Sequence, residues 1–184
     1  MASIVLNGDT SGSVTVSPPA VAGTQTVTLP AASGVLQVSG NMPTFAAYQS
    51  SAQTLAATTS TLLQMQTEEW DTAGAFNNTG STVTLNGISV PAYAFAPPVA
   101  GYYQVNSAWS TSLGDTLYIT IYKNGTLYKT GTILGGSLGP TVGVTVYLNG
   151  TSDYIQSYGW CLGGRTINTG ISSTYFQAIM VRSA

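Results

Sequence analysis

Residues 95–109 read Phe-Ala-Pro-Pro-Val-Ala-Gly-Tyr-Tyr-Gln-Val-Asn-Ser-Ala-Trp. A phenylalanine and a proline-containing turn lead through Gly101 into a run that alternates without a break. Tyr103, Val105, Ser107 and Trp109 fall on one face, and Gln104, Asn106, Ala108 and Ser110 on the other. A period of two marks a strand with one buried and one wetter face.

The same pattern recurs on both sides. From Phe45 onward about ten strands are predicted, near 44–49, 61–66, 82–85, 92–95, 101–110, 116–123, 126–133, 141–148, 153–161 and 172–182. Leu117, Ile119 and Ile121 alternate with Tyr118, Thr120 and Tyr122; Val142, Val144, Val146 and Leu148 alternate with Gly143, Thr145 and Tyr147. Asn124-Gly125 between two such runs predicts a two-residue hairpin, because that turn needs positive φ at both positions. Asn86-Gly87 and Asn149-Gly150 are similar with poorer flanks. Residues 50–66 tolerate helix, but their Thr and Ser content argues against a stable one. Many short strands with frequent turns predict an all-β sandwich or jelly roll.

Residues 1–43 differ. Short Val/Thr strands alternate there with Gly and Pro, and no aromatic residue precedes Phe45. Forty residues of this kind cannot build a core alone, so they are expected to form an extended, β-rich arm that borrows its stability from something else. Asn41-Met42-Pro43 marks the boundary with a head domain at 44–184.

Composition removes most chemistry. Charged residues make up 5% of the chain and the net charge is -2, which gives no hold on nucleic-acid phosphates. There is no histidine, and so no common general base, metal ligand or near-neutral pH switch. The single cysteine, Cys161, sits in an apolar aromatic stretch and is expected to be a small buried hydrophobe. No apolar run approaches the roughly 20 residues of a membrane span. The opening Met-Ala-Ser-Ile-Val-Leu has no basic region before a hydrophobic one, which predicts synthesis in a cytoplasm without a signal peptide. The Asn-x-Thr sequons at Asn77, Asn124 and Asn149 are read as accidents of a Thr-rich chain.

The one acidic cluster is Glu68-Glu69-Trp70-Asp71. Strand neighbours point to opposite faces, so Glu68 and Glu69 are not expected to converge on a sugar as glycosidase carboxylates do. Glu69 and Asp71 can share a face and hold a cation; a solvated loop is the plainer reading. Gly135-Gly136-Ser137-Leu138-Gly139-Pro140 has no Lys behind it and reads as a flexible loop rather than a phosphate cradle. No enzyme activity, cofactor or metal is expected.

Two resemblances add to this. Phe95, Gly101 and Tyr103, at their spacing, resemble the signature of the globular head of complement component one, subcomponent q. Phe45-Ala46-Ala47-Tyr48, Tyr147 to Ile155 and Thr174 to Val181 resemble that family's opening strand, late strand–turn–strand and closing strand. The chain departs from the family at Ile88, at Asn86 and at Ser107, where the family prefers an aromatic residue, and the family's calcium and ligand residues find no counterpart position by position. The resemblance implies a ten-stranded tumour-necrosis-factor-like jelly roll that assembles as a threefold homotrimer. The arm, from Leu6-Asn7-Gly8-Asp9 through Thr28-Leu29-Pro30, resembles a segment common at the start of tailed-phage fibres. Together they imply a phage virion protein on the particle surface: a capsid decoration or head fibre held by residues 1–43 to capsid or tail proteins, or a tail fibre that binds host glycans. Aromatic side chains supply stacking faces for such binding. Trp109, Asp115, Tyr158, Trp160 and Arg165, around the loops 111–115 and 160–171, are the candidate contact residues. The alternative is that Tyr103, Trp109 and Trp160 fill the core while Tyr118, Tyr122 and Tyr147 line the trimer interface.

Overall fold

The computed structural model describes residues 4–17, 19–21, 23–24, 26, 37–137 and 139–184. Its contacts divide the chain into two units, Met1–Gly34 and Val35–Ala184. In the first, β1 (Ile4–Asn7) and β2 (Ser13–Val16) pair as an antiparallel hairpin. The arm as read from the sequence extends to residue 43, and its stretch at 27–36 lies outside the described residues.

In the second unit a 3-10 turn at Ser39–Asn41 leads into β3 (Thr44–Tyr48), β4 (Thr54–Leu55), β5 (Thr61–Leu62), β6 (Thr67–Asp71), β7 (Val83–Leu85) and β8 (Ile88–Val90). There follow β9 (Gly101–Ala108), β10 (Asp115–Lys123), β11 (Thr126–Ser137), β12 (Thr141–Leu148), β13 (Ile155–Cys161), β14 (Arg165–Thr166) and β15 (Tyr175–Ser183). Two sheets carry the architecture, a four-stranded one in the order β11-β10-β13-β5 and a five-stranded one in the order β12-β9-β15-β3-β6. Short ribbons β4–β14 and β7–β8 complete it. The chain crosses from sheet to sheet between β9 and β10, between β11 and β12, and again on either side of β13. Antiparallel pairs with such crossings make a jelly-roll sandwich.

The core lies between the sheets and follows the alternation that opened the argument. Tyr103, Val105, Ser107 and Trp109 are all buried, and Tyr102 opposite them is exposed. Phe45 of β3 stacks on Phe76 at 4.6 Å and on Phe95 at 4.4 Å, and meets Phe176 of β15 edge-on at 5.0 Å. Ser107 stands where a large side chain was expected. Its hydroxyl donates to the Tyr175 carbonyl at 2.7 Å and lies 2.9 Å from the Ser157 hydroxyl of the other sheet. A polar pair with all its partners inside the sandwich costs little.

Local details follow turn chemistry. Asn124 and Gly125 have φ of 52° and 75°, and Asn86 and Gly87 of 50° and 76°, so both dipeptides close tight hairpins. Asn149-Gly150 does not: it joins strands of different sheets, and the Asn149 side-chain carbonyl accepts from the N–H groups of Thr151, Ser152 and Asp153. The strand expected at 92–95 falls instead at Ile88–Val90, and β11 runs on through Ser137. Gly135 and Gly136 therefore end a strand instead of opening a loop; Leu138 lies outside the described residues.

Asn77, the first sequon, is buried. Its amide N–H groups donate to the carbonyls of Ser81, Val90 and Pro91, and its oxygen accepts from Thr79. Asn77→Ala would orphan these groups, each worth about 1–3 kcal/mol when buried and unpaired. We expect a loss of about 2–3 kcal/mol by urea denaturation, against a change within error for Asn78→Ala.

Candidate interaction surfaces

Away from its β6 edge, the outward face of the five-stranded sheet carries little charge. In β12, β9, β15 and β3 the only charged residue is Arg182, at the end of the face. Tyr102 and Tyr147 are directly cross-strand, ring centroids 5.5 Å apart, and both are exposed. Ile179 and Val181 are exposed beside them, and Trp70 at the β6 edge is exposed with its indole N–H 3.4 Å from the Thr44 hydroxyl. Between Trp70 and Ile179 lies a cleft of about 290 Å³ whose polar lining is Thr44 and the carboxamides of Gln104, Asn106 and Gln177. Exposed aromatic and aliphatic side chains grouped on a neutral face mark an interaction surface.

The outward face of the four-stranded sheet is aromatic in a different way. Tyr118 stacks on Trp160 at 4.6 Å, and Tyr122 on Tyr158 at 4.1 Å. All four are half-buried against one another. Burial first, then the neighbouring Tyr122 and Tyr154, pushes the Tyr158 phenol above its ordinary value. Tyr158 and Trp160 are thus strand residues of a sheet face and do not belong to a loop tip. Tyr147 sits on the other sheet, so it does not share a face with Tyr118 and Tyr122.

Trp109 is 0% exposed. Its indole N–H donates to the Tyr118 carbonyl at 3.2 Å, and nothing of it is left to meet a ligand. It continues the inward face of β9, which is why it is core and not a contact residue.

The loops 111–115 and 160–171 do come together. Thr111 bridges Ile167, the Asn168 N–H donates to the Ser110 carbonyl at 2.8 Å, and Ser112 Oγ donates to Asn168 Oδ1 at 2.9 Å. They enclose a cleft of about 250 Å³ lined by Thr111, Ser112, Leu113, Arg165, Thr166 and Asn168. Asp115 and Arg165 serve as its pins. Asp115 accepts from the N–H groups of Gly163 at 2.8 Å and Thr116 at 2.7 Å. Arg165 donates to the carbonyls of Gly163, Gly164 and Gly114. Its Nε lies 3.4 Å from the Asp115 carboxylate, near enough for attraction but without hydrogen-bond alignment. Leu113 is the exposed apolar group of the rim.

These carboxylates set an acid limit. The Gly163 N–H bond does most to lower the Asp115 carboxyl; burial opposes it, and Thr116 and the Arg165 charge lower it further. At Asp153 burial alone would raise the carboxyl, but Lys123, Asn124 and the Asn149 N–H outweigh it and leave it below its ordinary value. The Lys123 ammonium lies 2.8 Å away. A group whose folded pKa is depressed contributes stability above its unfolded pKa and loses it as pH falls through the folded value. Melting temperature is therefore expected to hold above the ordinary Asp value of about 3.9 and to fall below it. Asp153→Asn flattens that acid limb; an unchanged limb would contradict the assignment.

The acidic cluster is rearranged by a bulge. Phe45 pairs with Asp71, Ala46 with Trp70 and Ala47 with Glu68, so Glu69 is the extra residue. Glu68 and Asp71, not Glu69 and Asp71, then share the side of Phe45 and Ala47. Burial first, then the Asp71 charge, raises the Glu68 carboxyl. Asp71 is occupied: it accepts from the N–H groups of Ala73, Ala75 and Phe76 and shapes the turn after β6. Cys161 is buried, and burial is the main cause that pushes its thiol up.

No family model matches the chain, and no curated protein does. Solved structures do. Murine APRIL superposes with a TM-score of 0.55 at 10% identity, covering 76% of this chain and 99% of that one. Eiger TNF from S. frugiperda gives 0.52 at 12% identity, with 78% and 93% covered. The globular domain of zebrafish complement 1qA protein gives 0.52 at 12%, with 77% and 99% covered. At these identities the likeness is one of fold: the chain carries a tumour-necrosis-factor-like jelly roll.

Proposed function

We propose that this chain is a non-enzymatic phage virion protein. It forms a homotrimeric knob on the particle surface, made in the host cytoplasm, and acts as a capsid decoration or head fibre with residues 1–43 as its attachment arm. The observation that carries the assembly is the neutral outward face of the five-stranded sheet, where Tyr102, Tyr147, Ile179 and Val181 are exposed together. Such a face, poor in Lys, Glu and Asp, suits the centre of a protein–protein interface. The fold likeness to the complement head is the second support, because the sequence resemblance to that family implies a threefold trimer. The phage setting rests on the arm's resemblance to fibre segments. The non-enzymatic reading is supported by how the polar groups are used. Asp71 shapes a turn, Asp115 and Arg165 pin loops, and Ser107 pairs with Ser157, so each is engaged in holding the fold.

A tail fibre or receptor-binding knob is the second reading, favoured by the cleft that the loops 111–115 and 160–171 form together. There Leu113, Arg165, Thr166 and Asn168 replace Trp109, Tyr158 and Trp160 as the residues placed to meet a neutral host glycan. Cryo-electron microscopy of the intact particle separates the readings. Residues 1–43 lying on the capsid lattice support decoration; the same residues inserted in a tail component support the fibre. A particle without this density overturns both.

A further inference from the structure

The hairpin β1–β2 has two unlike faces. Ile4 pairs with Val16 and Leu6 with Val14 on one; Val5 pairs with Thr15 and Asn7 with Ser13 on the other. The first face is entirely aliphatic, and its side chains are 58–65% exposed. The turn between the strands is built for this shape. A Cβ on Gly8 would lie 2.5 Å from the Ser11 carbonyl oxygen, and Gly12 has a φ of +78°. Asp9, in that turn, is the only charged residue from 4 to 16.

Among the described residues the hairpin has no third strand, and a two-stranded hairpin is marginal in water, so this face needs cover. We propose that it is covered by the same face of two further copies, so that three hairpins close around a threefold axis into one small apolar plug. The inference rests on the trimer reading above and names what the arm does within it. Two arguments select this occupant. Copies tethered to one trimer meet at roughly millimolar effective concentration, before any external partner is encountered. The face also carries no charge that would orient it toward an oppositely charged partner, and it matches itself. The arm then presents a threefold plug to the particle instead of three separate strands.

The test uses the full chain with Leu6→Cys on the aliphatic face and Asn7→Cys on the polar face, each oxidised and run on denaturing gels, with light-scattering mass measured on the same samples. In Leu6→Cys two of the three copies are expected to link as a disulfide dimer, with the third left as monomer, at a rate independent of protein concentration, and the linkage is lost in Asn7→Cys. A trimeric mass with no linkage, or with equal linkage in both variants, overturns the plug and leaves the trimer standing. That includes the case in which the hairpin gains cover only on the particle. A monomeric mass overturns the trimer reading, and the plug with it.

Discussion

Phe45→Ala is expected to destabilise the head by about 5 kcal/mol, near the upper end of what aromatic truncations in cores cost. The ring lies where the two layers and the loops between them meet. It stacks on Phe76 and Phe95, two residues held by loops, and meets Phe176 edge-on on the neighbouring strand β15. It is wholly buried, with Ala47 of the same strand beside it in the core. Three partners lose contact together, and each aromatic pair is worth about 0.5–1.5 kcal/mol beyond area burial. The backbone around the site is tied by β3's ladders to β15 and β6, so the cavity cannot collapse cheaply, and that places the cost high. Against total stabilities of about 5–15 kcal/mol, the variant should sit at the margin of folding. Urea unfolding at matched protein concentration measures it, since assembly adds a concentration-dependent term. Phe45→Leu keeps most of the volume and is expected to lose far less. Equal losses for the two would mean that retained bulk contributes nothing and that the ring's stacking carries the whole effect.

The strand that decides the fold was legible because its environment is regular. Tyr103, Val105, Ser107 and Trp109 follow one face through nine residues of β9 and its exit, and a period of two survives wherever a sheet has one buried side. The Asn-Gly turns at 86 and 124 were legible for the same local reason. What escaped is what depends on the register of other strands. Glu69 leaves its ladder at a bulge, and one extra residue moves Glu68 onto the side of Asp71; a bulge in a five-residue strand has no signature in composition. The two-residue strands β4 and β14 are too short for any period to show. The candidate contact residues divided by the same rule. Asp115 and Arg165 were placed at two separate loops, 111–115 and 160–171, and the structure brings them together. Trp109 was offered both as core and as contact; its position on the inward phase of β9 decides for core. Tyr158 and Trp160 alternate with Ser157 and Cys161 on β13, so the phase of that strand turns them outward onto a stacked face, away from the loop that follows.

Ile179→Lys should convert the proposed trimer into monomers while leaving each head folded. Ile179 stands in the middle of β15 on the outward face, 52% exposed, opposite Gln104 and at the lip of the 290 Å³ cleft. In a monomer a lysine there keeps its ammonium in water, and exposed substitutions of this kind change stability by about 0.5 kcal/mol or less. In a trimer closed over this face the same ammonium is buried against neutral carboxamides and tyrosines, with no carboxylate in β12, β9, β15 or β3 to pair with it. Desolvating an unpaired ion costs several kcal/mol, and threefold symmetry applies that cost to every subunit at once. Light scattering should therefore read one 18.9 kDa chain instead of three, with the far-ultraviolet dichroism unchanged. Tyr118→Lys supplies the contrast: it places the same charge on the stacked face of the other sheet, and a trimeric mass is expected. If Tyr118→Lys dissociates the protein and Ile179→Lys does not, the subunits assemble through the four-stranded sheet, and Tyr102 and Tyr147 become the exposed surface left for a partner.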